Sequence, residues 1–423
     1  MSKEALIKGN KKVINAWAFY DWANSVYALV ITTAIFPIFF DANTEESLLF
    51  FGVAFNNMEL YSYTISFSFL VVSILSPLLS GVADYAGKKK YFLKLFCLVG
   101  SASTGLLYFF NQEYLELSLL IVVLASVGFW GSLVFYNAYL PEITAIEDHD
   151  KVSAKGYAMG YIGSSVLLIL ILIAYKGFGM PIEWSFPLVA LWWFGFANFS
   201  YKRIPNDVAI SVKESGILAK GFKELQLVWT DLKSQKRLKT YLASFFLFSM
   251  GVQTVMQMAT LFGIREIDDM PDSGMIISIL IIQFVAVGGS YLFSYLSSKI
   301  GNIKALGSNL IIWICICIAA YFTHKAVEFY ILAGVVGLVM GGVQSLARST
   351  YSKLLPETKA TASYFSFYDV TEKIGVVIGT LVFGTIIGFT GSIRNAVFAL
   401  LLFFVGGLIS LAFIPKEKVI KHE

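Results

Sequence analysis

The chain is poor in the residues that build disulfides and metal centres, with three cysteines and three histidines among 423 residues. Cys97, Cys315 and Cys317 all lie in apolar stretches, and His149, His324 and His422 stand apart from one another, so neither a disulfide framework nor a zinc site is expected. There is no HExxH, no GxSxG and no Walker loop. Those absences speak against a membrane enzyme and a self-contained ATP-driven pump, and no cofactor is expected. Charge is scarce too, at 14% of residues, where a soluble domain carries about 25%.

What the chain has instead is apolar surface. Hydrophobic residues make up 57% of it, with 37 Phe and 22 Tyr, and the mean hydropathy is +0.71. No soluble fold of this size could hide that much. The apolar residues gather into about twelve stretches, each near the roughly 20 residues that cross about 30 Å of hydrocarbon. They fall at 16–40, 60–83, 91–110, 117–140, 156–175, 184–200, 240–264, 273–296, 303–322, 328–347, 364–388 and 395–415. The first follows lysines but no small-residue cleavage site, so it is read as a span and not as a signal peptide.

Connectors alternate between lysine-rich and lysine-poor. Counted along the chain, 27 basic residues fall on one side and four on the other (Lys176, Arg265, Lys325 and Arg394), with Lys373 inside a span. The positive-inside rule then puts both termini in the cytoplasm of an inner-membrane protein. The formal charge of +4 reflects this topology and not nucleic-acid binding; anionic lipids at the cytoplasmic face are the expected partners of the lysines.

The longest connector, 201–239, separates segments 1–200 and 240–423, each with six spans. It is strongly basic, and Ile217, Leu218, Phe222, Leu225, Leu227 and Val228 fit an amphipathic helix at the membrane surface as well as a plain linker. The halves echo each other. Gly87 stands opposite Gly301 at an offset of 214, and Leu140-Pro141-Glu142 recurs as Leu355-Pro356-Glu357 at an offset of 215. Paired halves are how many secondary transporters are built.

The run Asp84 to Lys89, D-x-x-G-K-K, lies where the second span meets the cytoplasm. It resembles the core of the loop between the second and third helices of the major facilitator superfamily, with Gly81 one place later than the family's leading glycine, where Ser80 stands. The resemblance implies a gate built from Gly81, Asp84, Gly87, Lys88 and Lys89. In the second half Tyr295 and Ser298 replace the matching glycine and aspartate. The runs Trp17 to Ser25, Tyr136 to Glu142, Gly156 to Gly163 and Gln344 to Ser349 are similar to the branch of that superfamily that includes the yeast autophagy-linked vacuolar amino-acid effluxer. This implies an all-α fold of twelve transmembrane helices in two pseudo-symmetric six-helix bundles.

Several polar residues inside spans carry functional readings, because such groups are costly unless they face a cavity or a partner. Asp21, with Asn24 beside it, is a proton-coupling or substrate-ammonium site, or a cap on a neighbouring helix. Asp369, Glu372 and Lys373 share a helix face; an Asp369–Lys373 pair is expected to leave Glu372 free to titrate, and a structural lock is the other reading. Tyr20, Tyr27, Gln253, Gln257 and Gln283 are cavity candidates, the glutamines equally plausible as interhelical glue. Arg348 fits a gate or a loop anchor. Glycine sets at 156, 160 and 163 and at 334, 337, 341 and 342 suit either sliding contacts or tight packing.

A channel would not require paired halves with a long central loop, and a receptor would more often have seven spans. Secondary transport by alternating access is the expected function, in a monomer moving a small molecule. Amino-acid efflux coupled to protons is preferred. A sugar or other organic solute, stacking on Tyr20, Trp22 and Tyr27, with sodium as coupling ion, is the alternative.

Overall fold

The computed structural model describes residues 8–206, 216–271 and 273–415. Lys3, Asp207, Lys213, Glu214, Lys416, Lys418 and Lys421 lie outside them. The first half contains α1 (Lys11–Val26), α2 (Phe36–Ala42), α3 (Asn57–Ala86), α4 (Lys89–Leu106), α5 (Leu115–Ala138), α6 (Leu140–Ile143), α7 (His149–Phe178) and α8 (Ser185–Tyr201). After α9 (Ile217–Ser234) the second half runs through α10 (Lys236–Glu266), α11 (Gly274–Ile300), α12 (Asn302–Phe322), α13 (Ala326–Leu354), α14 (Thr361–Thr390), α15 (Ile393–Ala399) and α16 (Leu401–Ala412). Among the described residues, 11 helical stretches are long and apolar enough to cross a membrane. The sixth expected span is α8, whose 17 residues fall just short of that length by themselves.

The first span is broken, which its hydropathy did not reveal. Between α1 and α2 the nine residues Tyr27–Ile35 form a π-helix, and Phe36 N–H bonds back to Ile31 O. Pro37 lacks an N–H and its ring crowds the carbonyl four residues back. The preceding Val30, Ile31, Thr32 and Thr33 are stiff at χ1, and both threonine hydroxyls donate to the single carbonyl of Ala28, at 2.6 and 2.8 Å. A wide turn relieves this crowding. Beyond it, the first lysine-poor connector holds a hairpin, β1 (Ser47–Phe50) with antiparallel β2 (Val53–Asn56). Phe51 (φ 48) and Gly52 (φ 81) make its turn, and positive φ at both central residues matches the twist of a two-residue hairpin.

Small residues set the helix spacing within each half. A Cβ on Gly160 would stand 2.4 Å from Ser25 Oγ, and one on Gly163 2.6 Å from Trp22 O, so the small face of α7 lies against α1. On α13, a Cβ on Gly337 or Gly341 would stand 2.5 Å from Ile282 O or 2.1 Å from Ala286 O of α11. Gly160, Gly163, Gly337 and Gly341 therefore join helices of the same half.

The carboxylate-centred hydrogen bonds between helix ends of the two halves gather at one face. Gly9 N–H bonds to Ile143 O at 2.9 Å, which places this N-terminal face at the end of α6. At the opposite face, Arg394 binds Glu266 at 2.8 Å and the carbonyls of Ala320, Tyr321 and Thr323, all within the second half.

Candidate functional site

Two buried ionic clusters and two surface latches lie between the halves. The α3 helix ends on Gly87 in the left-handed conformation (φ 60), with Lys88 N–H bonding back to Ala83 O at 2.8 Å. That turn holds Asp84 against the start of α14, where its carboxylate accepts from the backbone N–H groups of Ala362 (3.3 Å) and Ser363 (2.7 Å) and from Ser363 Oγ (2.7 Å). A carboxylate at a helix N-terminus meets unpaired N–H groups and the positive end of the dipole. Next to it buried Lys89 binds Glu142, and both reach Thr361. Lys88 is exposed.

The second latch is built by Asp150, in the first turn of α7. It accepts from Ser297 Oγ (2.7 Å), Asn302 Nδ2 (2.7 Å) and Lys353 Nζ (2.6 Å). Three elements of the second half thereby close on one carboxylate.

Deeper in, Asp21 and Arg348 meet. Arg348 Nη1 lies 3.3 Å from Asp21 Oδ2, and the same oxygen accepts from the Tyr136 hydroxyl at 2.8 Å. The guanidinium also donates to Asn137 Oδ1 (3.2 Å), Ser153 Oγ (2.9 Å) and Ser153 O (2.8 Å). Its plane lies over the Tyr157 ring, 4.2 Å from the centroid, and near Trp17 at 4.9 Å. Burying a guanidinium is tolerable when its fork is filled in this way. Arg348, on α13, is thus a partner of Asp21, although the two were read as separate sites; Gly156 leaves the space for both, since a Cβ there would fall 2.6 Å from Asp21 Oδ2. Nearby Asn24 is buried, and its Nδ2 has no hydrogen-bond partner.

The other cluster lies on α14. Lys373, with 1% of its side chain exposed, sits 3.2 Å from Asp369 Oδ1 and 3.0 Å from Glu372 Oε2. Gln253 Nε2 donates to Glu372 Oε1 at 2.7 Å, and the Lys373 ammonium stands 3.5 Å from the centroid of Trp130, on α5 of the other half. The expected Asp369–Lys373 pair forms, but Glu372 is not left free of it: the lysine binds both acids, because its long stem lets the ammonium return to the adjacent residue as well as the one a turn before. One cation faces two carboxylates, so the ionised triad carries a net charge of −1. Asp369 Oδ2 has no partner, and Glu372 keeps 19% of its side chain exposed. Such a group can take up a proton or a cationic substrate atom.

The other cavity candidates separate. Tyr20 and Tyr27 are buried in the first half, Tyr20 against Tyr136 and Tyr201 and Tyr27 against Phe129 and Trp193, which corrects their placement in a cavity. Gln257 is exposed, and Gln283 is partly buried with an unpartnered Oε1. Gly81 packs on α9. Trp130, Ser153, Asp150 and Lys353 were missed: three are common residue types in ordinary contexts, and Trp130 sits in an apolar span with no polar neighbour to flag it.

This arrangement of long apolar helices with buried charge between two sequence halves defines a membrane carrier of the major facilitator type. The family model described as "Vacuole effluxer Atg22 like" matches residues 9–423, and the chain belongs to that family. It is 33% identical over 422 residues to an uncharacterized MFS-type transporter, YxiO, of Bacillus subtilis, covering 97% of each chain. Autophagy-related protein 22-1 of Penicillium rubens is 24% identical, over 85% of this chain and 75% of its own. In fold it is similar to the crystal structure of FucP in the outward conformation, with a TM-score of 0.70 at 14% identity, covering 97% of this chain and 99% of FucP. A major facilitator carrier is not an enzyme.

Proposed function

We propose that this carrier exports an amino acid across the cytoplasmic membrane, coupled to protons through Glu372. The observation that carries the reading is the outnumbered Lys373, held between Asp369 and Glu372 and against Trp130 of the opposite half. A surplus carboxylate at the junction of the halves can bind a proton or the ammonium of a substrate, and either event changes the charge that must be accommodated when the halves move. The family's description as an effluxer supports the direction. A sugar would call for ring-stacking aromatics beside amides, and the tyrosines expected to supply them are packed inside the first half.

The topology belongs to the same proposal: twelve spans, with α8 as the sixth, in two six-helix bundles joined by 201–239, and the N-terminal face in the cytoplasm. The distribution of basic residues supports it. On that orientation the latches of Asp84 and Asp150 close the cytoplasmic side, and alternating access opens them.

Proteoliposome transport tests the function. Radiolabelled leucine, lysine and glucose are offered under an imposed pH gradient, to the native carrier and to Glu372→Gln. Amino-acid flux is expected, with pH-driven accumulation lost in the variant and exchange down the substrate's own gradient retained. Glucose movement without amino-acid flux would sink the substrate assignment; intact proton-driven accumulation by the variant would remove Glu372 from coupling.

A further inference from the structure

The helix α9 crosses the seam between α3 and α14. Its buried side, Gly221, Val228 and Leu232, includes a close approach to α3: a Cβ on Gly81 would stand 2.3 Å from Gly221 O, and one on Gly221 2.7 Å from Val82 Cγ2. Farther along, Trp229 lies against Phe367 of α14 with ring centroids 5.3 Å apart, and the Tyr364 hydroxyl donates to Asp231. One helix therefore touches both halves. Gly81 precedes the end of α3 at Ala86 by a rise of about 8 Å, so α9 lies alongside the last turns of a membrane span, at headgroup depth, and not beyond them.

A second apolar stripe flanks the buried one. Leu218, Phe222 and Trp229 are spaced by four and seven residues, which puts them on one side of the helix, and they are 75%, 49% and 45% exposed. Lys233 stands beside the stripe, and Lys223 and Lys220 follow farther round the polar side of the helix. Lys220 Nζ lies 5.7 Å from the Tyr85 ring centroid and Lys233 Nζ 4.8 Å from that of Trp229, while Lys223 is exposed. Apolar and aromatic side chains at headgroup depth, with lysines on the polar side of the same helix, are the chemistry that recognises an anionic phospholipid surface.

We propose that α9 is an interfacial helix that takes anionic phospholipid from the leaflet at the N-terminal face, and that in doing so it holds α3 to α14 and favours closure of that face. The contacts with Phe367 and Tyr364 exist only while α3 and α14 are together. Opening that face makes α9 release one of them, so whatever fixes α9 on the seam opposes opening. The inference rests on alternating access alone and not on the substrate or the coupling ion.

The test uses the full chain in nanodiscs, in a cysteine-free background that retains transport. Spin labels at Glu147→Cys and Lys304→Cys report the distance between the halves at the N-terminal face, in phosphatidylcholine alone and mixed with phosphatidylglycerol. The ratio of the short to the long distance is expected to rise severalfold with phosphatidylglycerol, and the combined Lys220→Gln, Lys223→Gln and Lys233→Gln variant is expected to lose that response while keeping both distances. A label at Phe222→Cys should be reached by oxygen, and one at Thr230→Cys by an aqueous nickel chelate. Populations indifferent to lipid charge, a response that survives in the lysine variant, or equal nickel access at both positions would overturn the proposal with alternating access intact. A single distance in every lipid would overturn both.

Discussion

Ser297 donates its hydroxyl to Asp150 at 2.7 Å, and the bond is the counterpart of the one from Ser363 to Asp84 with donor and acceptor exchanged. In the first half the acid belongs to the end of α3 and the hydroxyl to the start of α14. At the pseudo-equivalent place the hydroxyl belongs to the end of α11 and the acid to the start of α7. The second-half copy of the loop motif therefore lost its aspartate without losing its latch. The charge sits on the facing helix.

Asp150→Asn removes the charge that holds Lys353, Ser297 and Asn302, and Asp84→Asn removes the one at the start of α14. Hydrogen bonds to charged groups contribute about 1.5 to 3 kcal/mol each, so either change should shift the N-terminal face toward its open state by about tenfold or more. The distance between spin labels at Glu147→Cys and Lys304→Cys measures that shift. Substrate affinity should stay near the native value; a folded variant that has lost binding would place the acid in the substrate site.

Most of the spans and the motif at Asp84 were legible because hydropathy and short turn motifs act locally along the chain. The deep site was only half legible. Asp21 and the charges of α14 stand out as buried ionisable groups, yet nothing local announces that Arg348, 327 residues away, fills the space beside Asp21. Trp130 is one aromatic among many until α5 and α14 are packed. The linker's apolar positions allowed an amphipathic helix as well as a plain linker, and its seat on Gly81 needed the three-dimensional meeting of two glycines. The π-helix had a readable cause in Pro37 and the β-branched run before it, and hydropathy averaged over it.

Gly156→Ala and Gly177→Ala place the same methyl group on the same helix in different surroundings. At position 156 it would meet Asp21 Oδ2 at 2.6 Å and Arg348 Nη2 at 2.8 Å, whereas at 177 the nearest atom is 4.0 Å away. Thermal stability in detergent should fall by several degrees for Gly156→Ala and hold or rise slightly for Gly177→Ala, where alanine gains about 0.5 to 1 kcal/mol of helix preference. Equal melting of both variants would mean that the Asp21–Arg348 cluster tolerates expansion.

Lys373→Ala leaves two carboxylates facing each other in a low dielectric. Removing one partner of a buried pair costs about 3 to 5 kcal/mol, so a marked loss of thermal stability is expected. Adding Glu372→Gln should restore part of it, because the surplus charge goes as well. A double-mutant cycle on melting temperature with strictly additive effects would show that the triad is not an energetic unit.

Orientation is open to labelling in intact cells. An impermeant maleimide should modify Glu113→Cys from outside and spare Glu147→Cys, which should react only after permeabilisation. The reverse pattern would invert the topology and with it the sidedness of both latches.

If Glu372 couples protons as proposed, the outnumbered lysine on α14 would also make the carrier sensitive to voltage. With both acids ionised the triad bears one net negative charge, and with one of them protonated it bears none. A rocking motion moves the membrane's electric field across that position, and each elementary charge carried through 100 mV is worth about 2.3 kcal/mol. On the proposed coupling, the electrical gradient would act on the return of the unprotonated triad and leave the neutral one untouched, so the resting potential of the cell would set a direction to the cycle even with substrate equal on both sides.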